Sequence, residues 1–187
     1  MAMEPGGPAE KLGNEYDALW AVRCALEVLA GEYVGLVWEG SGSAFEGSDL
    51  WLTRRDGTRE CHQCKRDRGS SDLWKVGDLQ RAGVLAVAKV HLEANGRNEF
   101  VFVSADPVKY VNDLNERTER SDHNPQVFRD ELATTSRGLK RAFEQLAEYW
   151  NLDPQREPDL AHLFDLVRRL RFTQFRHGRD GNREVLA

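Results

Sequence analysis

Apolar residues recur at helical spacing between Glu15 and Ala30, where Leu19, Val22, Leu26 and Leu29 share one face. The pattern predicts an amphipathic helix packed through that stripe, with Asn14 as N-cap and Gly31 as its stop. Tyr33–Glu39, rich in valine and aromatic residues, reads as a strand, and Gly40–Gly47 as a Gly/Ser loop. Asp49–Arg54 and Arg59–Lys65 read as a hairpin around Asp56-Gly57, followed by a polar loop over Asp67–Asp72. A second long helix is expected over Asp78–Asn95, with Leu79, Ala82, Leu85, Ala86 and Val90 inward. Glu99–Ser104 is continuously apolar at its centre and reads as a buried strand.

Beyond Pro107 the pattern turns helical, over Pro107–Glu119, Pro125–Ala133, Ser136–Trp150 and Pro158–Leu170. Leu139, Phe143, Leu146 and Trp150 form a stripe that reads as core packing. Arg171–Arg176 alternates and suits a short strand. The order α-β-β-β-α-β is that of an α/β fold. It divides the chain into a flexible tail (1–12), a core (13–105) and a helical extension (106–187).

No stretch of the 187 residues approaches the ~18 apolar residues of a membrane span, and no signal-peptide pattern is present. Three cysteines, an odd number, point to a reducing, cytoplasmic setting. The net charge of −5 does not mark a nucleic-acid binder, but its distribution is uneven. Residues 1–50 carry 2 basic and 9 acidic side chains, whereas residues 51–81 carry 8 and 5. The basic strip comprises Arg54, Arg55, Arg59, Lys65, Arg66, Arg68, Lys75 and Arg81, and Arg54, Arg55, Arg59, Arg66, Arg68 and Lys75 are the candidate nucleic-acid contacts.

The hairpin carries the candidate chemistry. Asp49 offers a hard anionic oxygen, as Mg²⁺ requires. Gln63 offers a carbonyl oxygen, the Cys64 backbone carbonyl another, and Lys65 a charge that can orient or deprotonate water. Gln63 and Lys65 share a face of one strand. A two-residue turn would place Asp49 opposite Cys64. An odd loop centred on Asp56, with Gly57 at positive φ, places it opposite Gln63, and the active-site reading requires the odd loop. Glu39, or Glu15 and Asp17 at the start of the first helix, can add negative charge. Cys61-His-Gln-Cys64 lacks the second ligand pair of a structural zinc site, and the histidines are scattered.

Gly13-Asn-Glu-Tyr-Asp17, Glu39, Asp49 and Gln63-Cys-Lys65, in that order, resemble the PD-(D/E)XK nuclease superfamily. The Gln-x-Lys form is similar to Mrr-type restriction endonucleases and to nuclease domains of CBASS- and STAND-associated antiviral effectors. The resemblance implies a restriction-endonuclease-like core with Mg²⁺, or Mn²⁺, on Asp49, Gln63 completing the site and Lys65 catalytic. It implies cleavage of double-stranded DNA with little sequence preference in antiphage defence, and a downstream sensor or NTPase in the parent protein. Cutting both strands requires two sites related by a two-fold axis, hence a homo-oligomer, dimer or tetramer. The region after Pro107, or the Arg168–Arg171 cluster, is the expected assembly surface. The acidic residue of the (D/E)XK half is absent, which keeps a catalytically inactive binding or oligomerisation module as the alternative. An RNA-directed nuclease would share the same site.

Overall fold

A computed structural model describes residues 8–66 and 73–176; Arg68 and the predicted loop around it lie outside the described residues. The chain forms an α/β fold. Helix α1 (Pro8–Leu29) leads into strands β1 (Gly35–Trp38), β2 (Leu50–Thr53) and β3 (Arg59–Lys65), with a 3₁₀ turn, Ser43–Phe45, between β1 and β2. Helices α2 (Val76–Arg81) and α3 (Val84–Ala94) precede β4 (Asn98–Ser104). Helices α4 (Lys109–Arg120), α5 (Pro125–Ala133), α6 (Arg137–Trp150) and α7 (Glu157–Arg169) then lead to β5 (Leu170–Gln174). Among the described residues no helix is long and apolar enough to cross a membrane.

The five strands form one mixed sheet in chain order. β1, β2 and β3 are antiparallel neighbours, and β3, β4 and β5 run parallel. The sheet separates two cores. Trp51, Cys61, Phe100 and Phe102 point to the side covered by α2–α7. Leu50, Leu52, Cys64, Val101 and Val103 point to the other side, where Tyr16, Trp20, Ala21 and Cys24 of α1 meet them. The helices after residue 106 pack into the first of these cores, and β5 completes the sheet beside β4.

The hairpin adopts the odd loop. Arg54 N–H donates to Thr58 O at 2.9 Å and Gly57 N–H to Arg54 O at 3.1 Å, leaving residues 55–57 as the loop. Gly57 takes φ +85°, a conformation a Cβ would strain. Leu50 is thereby paired with His62, the register that the odd loop sets.

Three helical expectations need correction. Asn14 lies within α1, which begins at Pro8. Of the predicted inner stripe of α1, Leu19 packs against the α1-side core, whereas Val22, Leu26 and Leu29 face outward, 59%, 61% and 83% exposed. The helix Asp78–Asn95 is two helices broken at Gly83, φ +75°, and Ala82, Ala86 and Val90 are exposed while Val84, Leu85, Ala88 and Leu92 are buried. α1 does stop at Gly31, where Gly31 N–H donates to Val28 O and Glu32 N–H to Glu27 O, the paired bonds of a Schellman terminus.

Candidate metal centre

The chain reversals bring three acidic positions to one end of the sheet. β2 begins at that end, so Asp49 stands beside the carboxyl end of β3. β1 finishes there, and Glu39, in left-handed backbone at φ +50°, donates its N–H to Asp49 O at 3.0 Å. α1 crosses above and supplies Asp17 from the helix face that carries Tyr16 and Trp20.

Asp49 departs from the strand pattern in a way that decides the site. Its N–H donates to His62 O at 2.9 Å, although His62 is the register partner of Leu50. This local irregularity re-aims the side chain. The carboxylate turns to the α1 side, where Oδ2 accepts the Cys64 N–H at 2.6 Å. Carboxylate oxygens of Asp17 and Asp49 and the Cys64 Sγ all lie within 4.8 Å of one another.

Burial pushes the Asp17 carboxyl up to about 7, with the Asp49 charge adding to it and Lys65 opposing. Asp49 is also raised, by burial first, against the lowering effects of the Cys64 N–H and Lys65. Burial, then Asp49 and Asp17, hold the Cys64 thiol far above its usual range, so it stays neutral. Two half-buried carboxylates offer hard oxygen donors to a divalent cation, with the Cys64 sulfur beside them. Three ligand groups are one short of the four of a structural zinc site.

The predicted residues divide as follows. Asp17 and Asp49 meet, Glu39 lies near enough to act on both electrostatically, and exposed Lys65 lowers both. Glu15 is exposed on α1 and takes no part in the cluster. Cys64 brings its backbone N–H to Asp49 and its Sγ to the cluster. Strand alternation places Gln63 on the α2–α7 side with Cys61, away from the Asp49 carboxylate; it is 7% exposed, and Oε1 has no hydrogen-bond partner among the described residues. The expected trio on one face is therefore corrected: the Asp17 and Asp49 carboxylates cluster on the α1 side, while Lys65, two residues from Gln63, shares its strand parity and acts on them electrostatically from the end of β3.

The basic strip is also divided. Arg54, Arg55 and Arg59 sit at the hairpin turn, the length of β3, about 20 Å, from Lys65. Arg54 is paired with Glu60 and Glu99, Arg55 donates to Gly31 O, and Arg59 lies 4.3 Å over the Trp51 ring. Arg66 and Lys75 share the site end with Lys65, as do Lys109 and Arg176, which the linear charge pattern missed. A groove of about 350 Å³ opens at this end, lined in part by Asp106, Lys109, Asn112, Asp113, Phe172 and Gln174. The second basic cluster is spent internally. Arg168 pairs with Asp165, Arg171 with Glu99, and buried Arg169 donates to Leu92 O in the last turn of α3 and to Asn98 O at the start of β4.

Asp17 carried one readable signal: it shares its helix face with Tyr16, Trp20 and Cys24, so it is a carboxylate on a buried face. No protein-family model, curated protein or solved structure matches the chain.

Proposed function

We propose that this chain is a divalent-cation-dependent nuclease domain that hydrolyses DNA phosphodiesters, built on a PD-(D/E)XK core of the Gln-x-Lys form. The observation that carries the reading is the convergence of the Asp17 and Asp49 carboxylates at the carboxyl end of the sheet, with Lys65 acting electrostatically on both. Asp17 and Asp49 would hold the cation, with Glu39 adding charge. A bound Mg²⁺ would polarise a phosphate oxygen and lower the pKa of a water. Lys65, exposed at the end of β3, would orient that water and offset the charge growing on phosphate. Cys64 N–H holds Asp49 in position. Lys75, Lys109 and Arg176, exposed at the same end, would take the phosphates on either side of the scissile bond.

One observation favours a second reading, a nuclease-like binding module. Gln63 stands at the position of the family's second acid, and its carboxamide lies off the cluster. Incubating plasmid DNA, and separately RNA, with the protein in Mg²⁺ or EDTA tests both. Mg²⁺-dependent nicking of plasmid that disappears in Asp49→Ala is the expected result. DNA binding without cleavage under every metal condition would give the binding module the stronger case.

A further inference from the structure

Helix α1 is apolar on two opposite sides. One buries Tyr16, Trp20, Ala21 and Cys24 against the sheet. The other presents Val22, Ala25, Leu26 and Leu29 outward, with half-buried Ala18 and exposed Glu15 at its N-terminal end. Val22, Leu26 and Leu29 are 59%, 61% and 83% exposed. A helix apolar on both sides is ordinarily covered on both.

We propose that this outer stripe seats a second copy of the chain as an antiparallel, two-fold helix pair. Positions 18, 22, 25 and 29 step by four, three and four, the spacing of a helix–helix seam. They alternate in size: Ala, Val, Ala, Leu. A two-fold axis level with the Arg23–Cys24 peptide sets Leu29 against Ala18 and Val22 against Ala25, so each large side chain meets a small one. A parallel pair in register sets Leu29 on Leu29 and Ala18 on Ala18, crowding one end and leaving a gap at the other. The interface is self-complementary, as a two-fold contact must be.

Its area is small for a stable interface. The stripe and the stem of half-exposed Arg23, counted on both copies, bring together on the order of 1,000 Å², the lower edge of a stable interface. The pair is therefore a concentration-dependent dimer rather than an obligate one. It does not depend on the nuclease reading. Where that reading holds, Asp17 on the same helix places one metal centre on each side of the two-fold axis, as antiparallel DNA strands require.

Sedimentation velocity on the full chain, without substrate, tests the dimer. The wild type should shift from monomer to dimer between about 1 and 100 µM, a range suited to an interface of this size. The double variant Val22→Glu, Leu29→Glu should stay monomeric with unchanged circular dichroism, because both side chains already face solvent. A wild type that remains monomeric across the range, or a double variant that dimerises equally, overturns the proposal. Cross-linking tests the register. Ala18→Cys and Leu29→Cys chains, mixed and mildly oxidised, should form a disulfide dimer, the native cysteines being buried. Neither alone should do so, since residue 18 and its symmetry mate are about 16 Å apart along the helix. Cross-linking within either single-variant sample overturns the antiparallel register.

Discussion

The Asp49 carboxylate accepts the backbone N–H of Cys64 at 2.6 Å, which ties the mouth of β2 to the end of β3 and holds the carboxylate beside Asp17. The bond supplies position; on the proposed reading the charge would supply cation affinity. The two roles separate by mutation. Asp49→Asn keeps an oxygen for the Cys64 N–H and removes the charge. It should leave the melting temperature equal or higher, abolish the rise on adding Mg²⁺, and reduce cleavage by at least about 10². Asp49→Ala should match that loss and also cost about 1–3 kcal/mol in urea unfolding, because the N–H then lacks its acceptor. A Mg²⁺-induced thermal shift of wild-type size in Asp49→Asn would remove Asp49 from the metal site.

Asp17 should make both stability and metal affinity pH-dependent, with opposite signs. Its carboxyl is raised from 3.8 to about 7 by burial and by Asp49. Between those values the folded chain holds a proton that the unfolded chain has released. Stability without metal should therefore fall as pH rises from about 4 to about 7 and then level off. A cation must displace that proton, so Mg²⁺ affinity should rise over the same window. Melting curves against pH in EDTA and in Mg²⁺ check both slopes. Asp17→Asn should flatten the EDTA curve and weaken Mg²⁺ binding; an unchanged EDTA curve would mean that Asp17 does not carry the proton.

The contrast between α1 and the hairpin shows what was legible in the sequence. Asp56-Gly57 announced the turn, and the requirement for Asp49 opposite Gln63 identified the odd loop that the backbone adopts. Strand parity then misled, because parity assumes a regular strand and the Asp49 N–H reaches His62 O instead. For α1, periodicity found the outer stripe because its members are aliphatic. The larger Tyr16 and Trp20 bury more area on the opposite face. Periodicity alone cannot rank two apolar faces. Charge proximity failed for a geometric reason: Arg59 and Lys65 are neighbours in sequence but occupy opposite ends of β3. The helices after Pro107 were readable from their spacing, while the pairing of β5 with β4 is a tertiary contact between distant residues.

Lys65→Ala should abolish cleavage and spare the fold, since Lys65 is exposed at the end of β3. A loss on the order of 10²–10³ in rate, with DNA affinity reduced much less, is expected of a group acting mainly in the transition state. Gln63→Glu discriminates further. Gln63 is buried with Oε1 unpartnered, on the side away from the carboxylates. The added charge should destabilise the apo protein by thermal melting and leave Mg²⁺ affinity unimproved. Tighter Mg²⁺ binding in Gln63→Glu would place that side chain among the ligands.

The DNA face should map to the site end of the sheet, not to the hairpin turn. Lys75, Lys109 and Arg176 are exposed at the site end, whereas Arg54 and Arg59 are engaged with Glu60, Glu99 and Trp51 at the other. Each phosphate contact removed should lower the log–log salt slope by about 0.9. Fluorescence anisotropy against salt should show that decrease for Lys75→Ala, Lys109→Ala and Arg176→Ala. It should show none for Arg55→Ala, whose guanidinium holds Gly31 O at the turn. A slope change confined to Arg55→Ala would return the DNA face to the hairpin.

The anchoring of α1 gives a test of positioning that does not touch the metal ligands. Trp20 Nε1–H donates to His62 Nδ1 at 3.1 Å, so the His62 proton sits on Nε2 and points to Glu60 Oε2, also at 3.1 Å. Glu60 in turn receives Tyr33 OH and is paired with Arg54, which leaves the chain of polar groups beneath α1 fully partnered. Trp20 and Asp17 are three residues apart on the same helix face, so the bond that fixes one aims the other. Trp20→Phe keeps most of the ring and removes the donor, leaving His62 Nδ1 buried and unpaired at a cost of about 1–3 kcal/mol. Urea unfolding should show a lower midpoint with unchanged slope. A purely structural role would end there, with Mg²⁺ affinity of the folded variant equal to wild type. If Trp20 positions Asp17, titration of Mg²⁺ well below the unfolding midpoint should show weaker binding, and Val22→Ala on the outer face of the same helix should show none of that weakening.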